Sequence, residues 1–362
     1  MFYFPNPCGE LTVGILRSQF NCEGETIPLT FFYPADESDG KNAKYSFAEA
    51  LFGHPISEAK TNFFSEAPIS QHKEKYPVIF YSHGYGSYEM SNSVLCGDLA
   101  SMGFVVIAIG HTGEATAVRL KDGTIIPMDE THSDEMNVPE KEEILQKIMM
   151  EVAAKDFKEE NYGTFIEAGR QFCDSHAKNK RMELWTKRIR AAADYMEEVN
   201  KSNYLLAGHL DLIPGFGITG HSFGGGAAIS VCREDSRFVC GIDVDGANLE
   251  EDYGQDIRKP FLCIGTEITS KLLSGIYLSN TENTYQLVIK DVEHMGFTDL
   301  VFFPDIAEMM GIPLGSMKGN KLAAILAQYH ADFFRKYLLK EDLYLEMPDE
   351  SVAILKFREK KC

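Results

Sequence analysis

Apolar residues in this chain fall into two kinds of run. Residues 11–20 and 27–33 mix β-branched and aromatic side chains and predict a pair of antiparallel strands. From residue 76 onward the runs become short and unbroken: 76–82 (YPVIFYS), 104–109 (FVVIAI), 216–220, 239–244, 260–265 and 285–290. Such runs are what strands buried on both faces require. Helix-length stretches lie between them. Residues 91–102 read as a crossover helix, and within 320–339 Leu322, Ile325, Leu326, Tyr329 and Phe333 recur at helical spacing. Strand alternating with helix predicts an α/β fold, a mostly parallel central sheet with helices on both faces.

No repeat or low-complexity linker divides the chain, so residues 1–362 read as one domain. The rhythm breaks once, between 111 and 180. That stretch opens with a polar hairpin-like piece around Lys121-Asp122-Gly123 and continues into an acidic loop at 129–135. An amphipathic helix follows at 139–156, with Ile144, Leu145, Ile148, Met149 and Val152 on one face. Insertions at this edge of an α/β sheet lie near the strand ends where ligands bind, so 111–180 is expected to be a helical cap over the site.

The chemistry centres on Gly220-His221-Ser222-Phe223-Gly224, a G-x-S-x-G pattern between a strand-like FGIT and a helix-like GGAAISVCRE. In this nucleophile elbow the serine occupies a strained strand-to-helix turn, and the glycines let strand and helix approach closely. An α/β-hydrolase fold with Ser222 as nucleophile is the expectation. Residues 215–220 also spell G-x-G-x-x-G. A dinucleotide site needs those glycines between strand and helix, whereas here the strand lies inside the motif.

An elbow hydrolase takes one oxyanion donor from the amide after the nucleophile, here Phe223, and another from a loop after an early strand. Ser82-His83-Gly84-Tyr85-Gly86 follows the 76–82 run, which nominates the Tyr85 amide. The base is expected on a loop beyond the serine. His294 follows the 285–290 run, whereas His330 lies inside a helical pattern as a surface or packing residue. His83, His111, His209 and His221 read as structural or pocket-lining. Two acids compete to orient the base: Asp245 ends the strand after the elbow helix, and Glu267 ends the next one. The first strand should adjoin the nucleophile strand, which favours Asp245, and Glu267, ahead of Ile268-Thr269-Ser270, reads more simply as a solvated or helix-capping acid. Asp243 lies deeper and reads as structural.

Composition narrows the classes. A net charge of −19 opposes nucleic-acid binding, which needs clustered Lys and Arg, and disfavours attraction to anionic lipid. No apolar run reaches the length of a membrane span. The eight cysteines show no C-x-x-C spacing and read as reduced, mostly buried thiols; the first residues show no basic-then-apolar leader, so a cytoplasmic location is expected. No H-e-x-x-H or His/Cys ligand set implies a metal or cofactor. No pattern specifies an oligomeric state.

Several segments resemble the plasma-type platelet-activating factor acetylhydrolases and their bacterial relatives: SHGYGS at 82–87, DLASMGFVV at 98–106, GHSFGG at 220–225, EDSRFVCGIDVDG at 234–246 and VEHMGFTDL at 292–300. The similarity covers roughly residues 20–300 and is poor over 130–180 and after 305. Secreted members carry a signal sequence, and the first residues here show no such pattern, in keeping with the expected cytoplasmic location. The resemblance implies Ser222 as nucleophile, Asp245 as acid, His294 as base and the Tyr85 and Phe223 amides as oxyanion donors. It also implies calcium-independent hydrolysis of short-chain or oxidised acyl esters, including sn-2 acetyl phospholipids, so a small ester or phospholipid is the expected partner, without stable membrane insertion. An amidase, peptidase or acyltransferase could use the same triad, and an inert binding module could keep the fold.

Overall fold

Parallel strands form the middle of the molecule and set where every loop of interest emerges. The computed structural model describes residues 4–36, 42–44, 60–129, 131, 139–175, 179–249 and 253–360. The chain begins with the hairpin of β1 (Thr12–Cys22) and β2 (Glu25–Ala35), antiparallel as expected. The edge strand β3 (Asn42–Lys44) and its neighbour β4 (Lys60–Ser65) follow. Then come β5 (Tyr76–Ser82), α1 (Ser93–Ser101) and β6 (Val105–Ile109). The polar piece at 121–123 closes a small separate hairpin of β7 (Ala117–Arg119) and β8 (Ile125–Pro127). Helices α2 (Pro139–Ala153), α3 (Tyr162–Ser175) and α4 (Asn179–Ser202) lead into the nucleophile strand β9 (Leu210–His221). The remaining elements are α5 (Phe223–Glu234), β10 (Phe238–Val244), β11 (Phe261–Gly265), α6 (Glu267–Leu272), α7 (Ser274–Ser279), β12 (Thr284–Ile289), α8 (Pro304–Met309), α9 (Gly319–Tyr337) and β13 (Ala353–Arg358).

Among the described residues the main sheet runs β13-β12-β11-β10-β9-β5-β6-β2-β1-β4-β3. From β12 to β6 every neighbouring pair is parallel, and antiparallel strands close both ends. Alternate residues of β5 serve opposite faces. Ile79 and Tyr81 join the core under α1 and α9, whereas Val78 and Phe80 join the core under α4 and α5. That is the two-residue period of a strand buried on both sides. Strand order reverses between β5 and β9, so a crevice opens at their C-terminal ends, where open α/β sheets bind ligands.

Three expectations need correction. β9 starts at Leu210, well before the predicted 216, and its register with β5 shifts between Pro77 and Val78. The apolar stripe of α2 splits, with Ile148 and Val152 packed inward and Ile144 and Met149 exposed. His330 is not on a helix surface. It is wholly buried on α9, where Nδ1 lies 2.7 Å from the Leu326 carbonyl and Nε2 3.0 Å from Thr219 Oγ1. Most of the acidic loop at 129–135 lies outside the described residues. No helix among the described residues is long and apolar enough to cross a membrane.

Candidate active site

Ser222 sits at the joint between β9 and α5 with φ 58° and ψ −122°, a conformation that costs a non-glycine residue energy. The surroundings hold it there. Its N–H donates to the Val244 carbonyl at 2.9 Å, and its own carbonyl accepts from Gly225 and Gly226 N–H at 2.9 and 3.1 Å. The elbow glycines are required by close approach. A Cβ on Gly220 would sit 2.2 Å from the Gly224 carbonyl oxygen, and one on Gly224 would sit 2.1 Å from the Ser82 carbonyl oxygen. Gly217, in the overlapping G-x-G-x-x-G pattern, faces the ring of Phe334, where a Cβ would lie 2.6 Å away. Packing accounts for these glycines without a nucleotide.

The structure brings Ser222, His294 and Asp245 into one hydrogen-bonded chain. His294 opens a 3-10 turn, His294–Phe297, beyond β12. Its Nε2 lies 2.9 Å from Ser222 Oγ and its Nδ1 2.7 Å from Asp245 Oδ2. A carboxylate only accepts, so Nδ1 carries the proton and Nε2 is left to take one from the serine. Asp245 is 1% exposed at its side chain, against 47% for His294. Burial alone would push its carboxyl upward. The hydrogen bond and charge of His294, with hydrogen bonds from Thr269 Oγ1 and the Thr266 N–H, instead hold it below the usual carboxylate range.

Glu267 takes no part in that chain. It lies in the first turn of α6, capped by Thr266, and pairs with Lys271 at 2.6 Å. β11 ends two residues earlier, at Gly265, so Glu267 is a helix residue and not a strand-end acid. Asp243 is wholly buried, accepts from the Gly246 N–H at 3.3 Å, and is pushed far above the usual range by burial and by Asp245. His221, beside the nucleophile, has its Nε2 3.0 Å from the His294 carbonyl oxygen. A carbonyl only accepts, so Nε2 donates. Burial, and then His294, push His221 down to about 3, which keeps it uncharged next to the candidate base.

Two cavities meet at Ser222 and His294. The larger, about 690 Å³, is lined by Phe223, Met149 of α2, Phe172 of α3, Leu249 and Ile268. The smaller, about 180 Å³, lies on the side of Gly84, Tyr85 and Gly86 and is closed by Leu300 and Phe303. The loop after β5 is pressed against the elbow, since a Cβ on Gly84 would sit 3.1 Å from Ser222 Cβ. Tyr85 and Phe223, the sequence-nominated oxyanion residues, therefore flank the serine from opposite cavities. Among the described residues no group of three or more His, Cys, Asp or Glu side chains could hold a metal ion. Sequence reasoning missed Thr266 and Thr269, which meet Asp245 only through the folding of α6 against β11.

The family described as platelet-activating factor acetylhydrolase, isoform II, matches residues 41–346, and the chain belongs to it. The match runs well past residue 305, where the sequence pattern alone had ceased to resemble the family. The chain is similar to a platelet-activating factor acetylhydrolase of Gallus gallus, 28% identical over 84% of this chain and 72% of that one. It is also similar to the protein of that name from Cavia porcellus, 26% identical over 92% and 78%. A solved ferulic acid esterase from Streptomyces cinnamoneus superimposes with a TM-score of 0.73 over 99% of both chains, at 19% identity. That likeness establishes the shared α/β-hydrolase fold.

Proposed function

We propose that this member of the isoform II platelet-activating factor acetylhydrolase family is a serine ester hydrolase acting through an acyl-enzyme on short-chain acyl esters. The observation that carries the reading is the chain Ser222–His294–Asp245, with links of 2.9 and 2.7 Å, at a strained elbow. His294 takes the Ser222 proton as Oγ attacks the ester carbonyl. The Tyr85 and Phe223 amides hold the oxyanion, and the protonated imidazole returns its proton to the leaving alcohol. Water, activated by the same His294, then releases the acid.

The short-chain preference rests on the smaller cavity. A space of about 180 Å³ suits an acetyl to butyryl group, and the larger cavity suits the alcohol part. The relatives' name specifies the acetyl group of platelet-activating factor, and we assign sn-2 acetyl or oxidised phospholipids as substrates on the family resemblance of the sequence. In the same reading the chain is one domain, and α2 and α3, within the 111–180 insertion, form a cap through Met149 and Phe172. A cytoplasmic location completes the proposal; it rests on the burial of Cys22, Cys96, Cys173, Cys232, Cys240 and Cys263 as thiols.

The test is kcat/KM across C2 to C16 p-nitrophenyl esters, with fluorophosphonate labelling of the intact protein. The proposal expects one label per chain, on Ser222, and a maximum at C2 to C4. A maximum at C12 or longer refutes the short-acyl claim, and no labelling at Ser222 refutes the nucleophile.

A further inference from the structure

The chain's single tryptophan lies outside both cavities, yet it touches the support of each wall of the site. Trp185 is wholly buried on α4. Its Nε1–H donates to Glu114 Oε2, and Arg188 Nη1 donates to the same oxygen at 3.2 Å. Arg181 Nε lies 3.4 Å from Glu114 Oε1. Glu114 and Arg188 are at most 1% exposed. Burying such a pair adds little to stability, because desolvation offsets the attraction; what it supplies is a fixed geometry.

That geometry leads to the loop carrying Tyr85. The Glu114 main-chain carbonyl accepts from the Gly86 N–H at 2.9 Å. Two residues on, the Thr116 N–H donates to the Ser87 carbonyl at 2.8 Å, and the Thr116 hydroxyl donates to the Gly86 carbonyl. The indole also stacks on His111, with centroids 3.5 Å apart and planes 11° apart. His111 Nε2 lies 2.9 Å from Ser82 Oγ, and the His111 N–H donates to His83 Nε2 at 3.1 Å. The other nitrogen of His83 therefore carries the proton and donates to the Gly84 carbonyl at 2.7 Å. Across the site, the ring of Phe223 meets the indole edge-on at 4.7 Å and 89°.

We propose that Trp185 and Glu114 are positioning residues that set the separation of the two oxyanion donors, the amides of Tyr85 and Phe223. The proposal rests on the oxyanion assignment given above. Charge on the substrate oxygen develops only in the tetrahedral state, so a donor displaced by a fraction of an ångström costs turnover and leaves ground-state binding nearly intact.

Trp185→Phe keeps an aromatic ring and removes the N–H. Glu114→Gln keeps the carbonyl and removes the charge. For each full-length variant, kcat and KM for p-nitrophenyl butyrate are measured per fluorophosphonate-labelled serine, together with Ki for a short trifluoromethyl ketone, which forms a tetrahedral adduct. The expected result is kcat lower by roughly 10- to 100-fold, KM within about threefold, and Ki raised by the factor that kcat/KM loses. A kcat per labelled serine within about threefold of wild type overturns the proposal, as does a lower kcat with unchanged Ki. If neither variant folds, the wild type serves. Stoichiometric labelling of Ser222 must then alter the emission of the lone Trp185, and an unchanged spectrum overturns the proposal. A wild type that neither hydrolyses the ester nor labels refutes the ester-hydrolase reading and the brace with it. Normal hydrolysis with silent variants refutes the brace alone.

Discussion

The two sides of Ser222 are built differently. On the Tyr85 side, the loop after β5 is backed by Ser82, His83, His111 and Glu114, all wholly buried. Further along, Asp299 accepts from the Ser93 N–H at 2.7 Å and from its hydroxyl, tying the loop that carries His294 to the start of α1. On the opposite side, α2 and α3 rest on a small apolar cluster around Ile148, Val152 and Phe165. Buried Lys271 fastens the end of α2 by donating to the Val152 and Lys155 carbonyls at 3.3 and 2.6 Å. Met150 of α2 stands in solvent, and Met149, which lines the larger cavity, is itself partly exposed. In the proposed mechanism the Tyr85 side must stabilise charge to within tenths of an ångström, and it is locked by buried polar contacts. The proposed cap need only admit and sort substrate, and it is held by a few apolar contacts and helix-end carbonyls.

The sharpest break of this contrast is at its centre. Ser222→Ala should leave a folded protein with activity down by roughly 10³-fold or more, because triad members act as a unit. Retention of about a tenth of the activity would remove Ser222 from the mechanism. Asp245→Asn should lower kcat by about 10²–10⁴-fold with little change in KM, since the imidazole would be held in the wrong tautomer. Glu267→Gln should cost less than about tenfold, and an exchange of these two effects would make Asp245 structural. On the small-cavity side, Leu300→Ala should raise the C8-to-C4 ratio of kcat/KM about tenfold; an unchanged ratio places the acyl chain elsewhere. The smallest effect belongs to the cap. Met149→Ala with Phe172→Ala should raise KM a few-fold at nearly constant kcat, the pattern of lost uniform binding. A fall in kcat without a KM change would mean that the cap shares in the frame.

The order of strands and helices, the elbow at Ser222 and the candidate base His294 were legible in the sequence because each is a local pattern. A doubly buried strand must be apolar throughout, and a strained elbow must be flanked by glycine. Some elements were legible but went unassigned. Met182, Trp185, Ile189, Ala192, Met196 and Val199 recur at helical spacing through α4, a pattern long enough to mark that helix from sequence. β13 carries only a short alternating pattern, as an antiparallel edge strand does. Which acid meets His294 was a different kind of question. Asp245 and Glu267 both follow buried strands, and local pattern alone leaves two carboxylates near one sheet edge. Strand order already favoured Asp245, and the folded chain shows the separation itself: β10 lies beside β9 and Asp245 turns at φ 50° toward the base, while Glu267 is carried off in the first turn of α6. The brace behind the oxyanion loop likewise belongs to tertiary structure. Glu114 and Trp185 stand 71 residues apart, and no local spacing marks a hydrogen bond that exists only once α4 has packed against the sheet.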